Sequence, residues 1–311
     1  MKKAQTLALY LSCLLIWQVP SISFGLKDKD PGLRALRDAL TGISQAKGLV
    51  YEVEVRQDRE PPNLQKYVSV WDFGETFRVD CQIVQINAAP FNYCYSYDGE
   101  KTYLEDKSAS LLKVHKGRPE IPETFFSSYS PLFNYMFLSY VGKKNKAVRF
   151  FFKSEIENEA ALSGIFRMIK KNGKETVCNE LCSIYELADV PSTEREIKIK
   201  MQVAVSDTKH VPLAWRELNN KGETMIEYRV LELGSTRHKG KDFFYPKVAQ
   251  IKYFTWDTQF TMKEPINAGF KIICKKFQLL NLNVGPVEPP DPSLFKGIYD
   301  MDTDKYIKVP K

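Results

Sequence analysis

Histidine is scarce in this 311-residue chain: three occur, His115, His210 and His238, each alone among charged or turn residues. Single histidines at such distances build no zinc-type quartet, even with the cysteines counted. Equally absent are a G-x-S-x-G elbow, an H-E-x-x-H helix and a glycine-rich phosphate loop, which removes the motif-bearing hydrolases, metalloproteases and nucleotide enzymes. The carboxylates Glu52, Glu54, Glu155, Glu157, Glu159, Glu194 and Glu196 fall where a solvated face expects them. The expectation is therefore a non-enzyme with no cofactor and no metal. A hydrolase survives only if the fold brings two carboxylates, or a serine and a histidine, into one cleft. There is no βαβ alternation, internal repeat, low-complexity tract or Gly/Ser linker, which argues against doubly wound, solenoid and loosely tethered architectures. Basic residues are interspersed with acidic ones, so no nucleic-acid partner is implied.

The N-terminus has Lys2 and Lys3, an apolar run from Leu7 to Trp17, and then Pro20, Ser21, Ser23 and Gly25. That order reads as a secretory signal over residues 1–25, too short to be a stable membrane span, with a single domain over 26–311. A lipid anchor at Cys13 fits poorly, because Leu14 to Trp17 continue the apolar run beyond it. The formal charge of +7 falls to +5 once Lys2 and Lys3 leave, mild basicity that suits transient visits to an anionic membrane surface. Cys81, Cys94, Cys178, Cys182 and Cys274 remain, an odd number for an oxidising compartment. Bridges between Cys81 and Cys94 on neighbouring strands, and between Cys178 and Cys182, are the pairings expected, with Cys274 a buried thiol. Metal ligation by Cys178 and Cys182 would need donors the sequence does not offer.

What is abundant is strand pattern. Pro31 opens a helix with Leu33, Leu36, Leu40 and Ile43 at helical spacing, ending near Gly48. From Leu49 the period becomes two. Strands are predicted over 66–71, 75–86, 93–97, 101–105 and 110–115, with Asp98-Gly99 a hairpin turn. Further strands are expected over 147–153 and 165–170, a turn at 171–173, then strands over 182–190 and 197–205. Hairpin strands follow over 212–218 and 224–233, then 248–261 and 270–282, and a last short pair around Ile298–Tyr299 and Tyr306–Val309.

Phe125 to Val141 (FFSSYSPLFNYMFLSYV) stands apart, carrying no charge while Glu120, Glu123, Lys143, Lys144 and Lys146 bound it. It is too interrupted by Ser, Asn and Pro131 to span a bilayer, so it packs on protein or on something oily. One alternative is a plain core helix. The other is a lid on an apolar cavity, formed by Phe125, Phe126, Tyr129, Leu132, Phe133, Met136 and Phe137. The walls would come from Phe77 and Val79, from Tyr93, Tyr95, Tyr97 and Tyr103, and from Phe150 and Phe152. A dry apolar cavity gains roughly 0.8 kcal/mol per methylene received.

The sequence resembles the LolA-type family of periplasmic lipoprotein carriers. The likeness lies in Ser96-Tyr97-Asp98-Gly99-Glu100-Lys101-Thr102-Tyr103-Leu104-Glu105, the apolar Pro131-Leu132-Phe133 segment, and His210-Val211-Pro212-Leu213-Ala214-Trp215-Arg216-Glu217-Leu218 with Gly222 and Tyr228. Phe277, Pro289-Pro290 and Ile298-Tyr299-Asp300 match the tail. The resemblance covers about residues 31–305 and implies an α+β, β-dominated fold, an incomplete antiparallel barrel with a strongly curved sheet and helices over its concave face. It also implies a periplasmic, monomeric carrier of lipids or acylated proteins that meets membrane or membrane-protein partners transiently. The chain departs from the pattern in its length, its cysteines and its proline-rich tail. The family's cavity arginine would correspond to Arg78, which points away if the Phe77 face turns inward. The runner-up function is an envelope stress sensor or protein-interaction module with a filled core.

Overall fold

Pro31, whose missing amide proton costs nothing at a first helical position, opens α1 (Pro31–Ser44). Leu33 and Leu36, three residues apart, are its buried stripe. The computed structural model describes residues 30–58, 63–72, 76–117, 168–191, 198–219, 221–256, 262–265, 269–281 and 287–309. The side chains of Leu40 and Ile43, the run 125–141 and the strand expected over 147–153 lie outside that description.

Among the described residues the rest of the chain is nearly all strand. β1 (Gly48–Gln57), β2 (Leu64–Asp72), β3 (Phe77–Gln85), β4 (Phe91–Tyr97), β5 (Lys101–Asp106) and β6 (Leu111–Lys116) form an antiparallel meander. A second one comprises β7 (Ile169–Val177), β8 (Glu180–Pro191), β9 (Lys198–Ser206), β10 (Pro212–Leu218), β11 (Thr224–His238) and β12 (Lys241–Trp256). β13 (Met262–Pro265), β14 (Phe270–Leu280), β15 (Gly297–Asp300) and β16 (Lys305–Lys308) complete it.

All sixteen belong to one mixed sheet, ordered β16-β15-β6-β5-β4-β3-β2-β1-β14-β12-β11-β10-β9-β8-β7, with β13 beside β12. The half-barrel expected from the sequence is corrected here, for the sheet is neither closed nor strongly curled. The reason is topological: β14 inserts between β1 and β12 and welds the meanders side by side, instead of sealing a first strand to a last. β15 adds to β6 in parallel. The expected helical cover reduces, among the described residues, to α1 and a 3₁₀ turn at Pro292–Leu294.

One face of the sheet is apolar across its middle strands. Tyr51, Val53 and Val55 of β1, Val68 and Val70 of β2, Ile272, Cys274 and Phe277 of β14, and Tyr228 and Val230 of β11 all bury side chains there with Leu33 and Leu36. β1, at the seam, is buried on both faces, and the carboxylate of Glu54 sits on its other side. Burial there opposes ionisation, but hydrogen bonds from Arg56 and Lys275 prevail and hold that carboxyl below its ordinary range.

Two hairpins differ from expectation. The turn of β7 and β8 is not 171–173 but Cys178-Asn179, with φ of 52° and 61°. Both central residues are left-handed, as a two-residue turn matched to strand twist requires, and Asn tolerates that conformation. Asn172-Gly173 is absorbed in a register shift between Lys170 and Lys174. β11 and β12 run far beyond the expected 224–233 and 248–261, to a turn at Lys239-Gly240 with φ of 50° and 80°. In that extension a Cβ on Gly234 would lie 2.5 Å from Tyr245 Cζ, and the Tyr245 ring stacks on Phe277 at 4.5 Å. Gly234→Ala should therefore lower stability by about 1–2 kcal/mol through displacement of that stack. A urea midpoint equal to that of the natural chain would refute the steric role.

Candidate ligand-binding face

The β3–β4 register pairs Phe77 with Tyr97, Val79 with Tyr95 and Cys81 with Tyr93. Facing residues in an antiparallel pair share a side of the sheet, so these six form one patch. The Phe77 ring centroid lies 5.7 Å from that of Tyr95 and 6.0 Å from that of Tyr97, and Leu104 of β5 packs beside them. Burial pushes the Tyr95 phenol above its ordinary range. The patch continues outward through Tyr93 to Phe91, whose rings stack at 6.5 Å, and Phe91 remains 40% exposed. The alternation therefore brings Phe77, Val79, Tyr93, Tyr95 and Tyr97 together, as their spacing implies.

Tyr103 does not join them. It pairs with Ser96, on the opposite side, and packs with Leu112 and Phe295 in a small separate cluster. Its hydroxyl donates to Asp98 Oδ2 at 2.8 Å, and burial together with that bond pushes the phenol up to about 12. Asp98 also accepts from the amides of Glu100 and Lys101, both at 2.8 Å, which locks the Asp98-Gly99 turn. Arg78 shares this polar side and makes a two-pronged bond to Asp80 at 3.0 and 3.1 Å. An open hollow of ≈ 510 Å³ lies on the same side, with Glu52, Ser69, Asp80, Asn92, Lys107 and Lys275 in its wall. Phe125, Phe126, Tyr129, Leu132, Phe133, Met136, Phe137, Phe150 and Phe152 lie outside the described residues.

The expected disulfides are corrected. Cys81 faces Tyr93 on the apolar side, whereas Cys94 faces Asp80 on the polar side, so no bridge joins them across the sheet. Both are free thiols, and burial pushes Cys81 up to about 11. Cys178 and Cys182 are free as well: their thiols donate to the carbonyls of Leu231 (3.3 Å) and Glu180 (3.5 Å).

A charged cluster, invisible in the sequence, ties β7 to the strands beyond it. Glu175 of β7 accepts both prongs of Arg216 (2.8 and 2.7 Å) and one from Arg229 (2.7 Å), while Arg216 Nε donates to Glu227 at 2.8 Å. The Arg216 bonds hold the Glu175 carboxyl below its ordinary range. Its members satisfy one another, so it is a fastening and offers no open position for a substrate. Among the described residues no group of three His, Cys, Asp or Glu side chains is placed to hold a metal, and no helix is long and apolar enough to cross a membrane.

No family model matches the chain, and no curated protein matches its sequence. Solved structures do resemble it. A DUF1329 family protein from Desulfovibrio piger is 11% identical at a TM-score of 0.42, over 82% of this chain and 93% of that one. A putative outer membrane lipoprotein-sorting protein domain from Vibrio parahaemolyticus is 8% identical at 0.40, over 79% and 91%. A LolA superfamily protein from Nitrosomonas europaea is 10% identical at 0.40, over 80% and 94%. LprF from Mycobacterium bovis and MucB from Pseudomonas aeruginosa, the latter in complex with MucA, are also neighbours. One of these neighbours is named for the LolA superfamily, the family that the sequence resembles.

Proposed function

We propose that this protein is a non-enzymatic carrier or binding protein of the bacterial envelope that holds lipids or lipoprotein acyl chains against the apolar side of β3 and β4. The observation that carries the proposal is the aromatic row from Phe77 to Phe91, buried at one end and open at the other. An acyl chain laid along the open end would cover Phe91 and Tyr93, and burying a side chain of that size is worth roughly 1.5–3 kcal/mol. In this proposal the uncharged run 125–141 supplies the cover, and Phe150 and Phe152 a further wall. The cargo would be a lipid or acylated protein delivered by brief membrane contact.

The double variant Phe91→Asp, Tyr93→Asp should bind a fluorescent fatty acid at least about tenfold more weakly than the natural chain. Tyr67→Asp, on the polar side, should leave binding unchanged. Equal binding by the double variant would sink the proposal. A second reading, a protein-recognition module, is favoured by the outer strand β16, where Tyr306 and Ile307 stand exposed beside an edge that no described strand pairs. A fatty acid that fails to bind, together with a protein partner lost on substituting Ile307 by Pro, would favour it.

A further inference from the structure

On the polar side of the first meander, the open hollow of ≈ 510 Å³ lies across β1, β2, β3 and the start of β4. The register shows how it is made. Glu52, Ser69 and Asp80 face one another in one row across β1, β2 and β3, and Tyr67, Gln82 and Asn92 in another across β2, β3 and β4. Between those rows Val53, Val68, Cys81 and Tyr93 turn their side chains to the apolar side, so the floor there is main chain. Ser69 is the short side chain between Tyr67 and Trp71 on that side of β2, and it accepts from Trp71 Nε1 at 3.2 Å. Its small size leaves the dip, whose volume falls within the range of about 300–1,000 Å³ usual for ligand pockets.

The charges of the wall are tied to one another. A bulge in β14 makes Lys275 an extra residue between Cys274 and Lys276, and both lysines thereby reach the polar side, Lys275 to Glu54 at 3.2 Å and Lys276 to Glu52 at 3.8 Å. Asp80 is held by Arg78 and lies 3.7 Å from Lys107. The lining carboxylates, Glu52 and Asp80, and the lining ammoniums, Lys107 and Lys275, thus each sit beside an opposite charge, and little net field is left to draw in a bare ion. What remains is neutral: the Ser69 hydroxyl, the amides of Gln82 and Asn92, and the Tyr67 ring. That ring is 39% exposed and is steadied by a bond from its hydroxyl to Gln65 Oε1 at 2.9 Å. Asn92 is fixed through its main chain, which donates to Ser108 Oγ at 3.2 Å and accepts from the Lys107 amide at 3.0 Å. A carboxamide offers donors and an acceptor together, and an aromatic ring a flat apolar surface. A pyranose is their complement, with hydroxyls round its rim and C–H groups on its face.

We propose that this hollow binds a neutral saccharide. The C–H face of the sugar rests on the Tyr67 ring, and its hydroxyls bond to the amides of Gln82 and Asn92 and donate to Glu52 and Asp80. The sheet stands between the hollow and the aromatic row on the other side, so the site does not depend on the acyl-chain proposal.

Cellobiose, maltose and N,N′-diacetylchitobiose are the probes, with inorganic phosphate and calcium as bare ions. In ¹H–¹⁵N spectra of the full chain, at least one of the sugars should shift the side-chain amide signals of Gln82 and Asn92 saturably at millimolar concentration, and neither ion should. Tyr67→Asp and Gln82→Leu, followed through the Asn92 amide, should each weaken that binding by at least about tenfold. Both side chains are exposed, so both variants should unfold at the urea concentration of the natural chain. Phe91→Asp should leave sugar binding intact while Tyr67→Asp keeps the fatty acid, which separates failure here from failure of the acyl-chain proposal. Any one of three results overturns the assignment: amide signals unmoved by all the sugars; binding by either variant equal to that of the natural chain; or an ion shifting the amides as strongly as a sugar.

Discussion

Trp215→Ala is expected to remove about 3–5 kcal/mol of unfolding free energy, the range for deleting a large aromatic from a core that relaxes only partly. Trp215 is 2% exposed and stacked on Tyr228, centroids 5.7 Å apart with planes 9° from parallel. It faces Val203 on one neighbouring strand and Tyr228 on the other, so the truncation opens a void between β9, β10 and β11 together. Trp215→Phe keeps the stack and most of the volume, and should lose less than half as much. Urea titrations followed by circular dichroism give both values. An alanine variant within 1 kcal/mol of the natural chain would mean that the second meander repacks freely, contrary to a close-packed interior.

The second large effect concerns charge. Glu175→Gln should reduce stability by about 2–4 kcal/mol, somewhat below the loss for breaking a fully buried ion pair, because the cluster is partly open to water. The amide retains one acceptor but presents its NH₂ to Arg216 or Arg229, and two guanidinium groups then share one remaining carboxylate, Glu227. The pH dependence follows. Arg216 holds the Glu175 carboxyl below its ordinary value of 4.5, so the native state favours the ionised form. That contribution is fully present above pH 4.5 and is lost as the pH falls through the depressed native value. The gap between natural chain and variant should therefore close on acidification. A gap that is unchanged between pH 7 and pH 3 would rule out the electrostatic origin.

Much of the sheet was legible because a strand with one wet side writes its period into the sequence. β9 shows it well: Met201, Val203 and Val205 are buried, whereas Lys200 is exposed. The same period placed Phe77, Val79, Tyr93, Tyr95 and Tyr97 on one side. It misplaced Tyr103 because the Asp98-Gly99 turn sets the register between β4 and β5, and in that register Tyr103 pairs with Ser96. The Cys81–Cys94 bridge failed for the same reason, since strand adjacency was readable but the facing partner was not. Asn172-Gly173 misled because a turn dipeptide fits equally well in an irregular stretch of strand, and the preference of Asn for left-handed backbone was spent at Asn179 instead. Glu175 and Arg216 are 41 residues apart, and no local pattern pairs them.

The seam at β14 has a consequence for how the chain comes together. β1 completes its ladder only against residues 270–280, and the far border of β6 is covered only by residues 297–300. Both flanks of the N-terminal half thus wait for the C-terminal fifth to emerge. Until then the six-stranded meander presents two raw borders, at β1 and β6, at the stage when a growing polypeptide is most prone to stick to others of its kind. A chain wired in this way is the more open to self-association the longer its last strands are delayed.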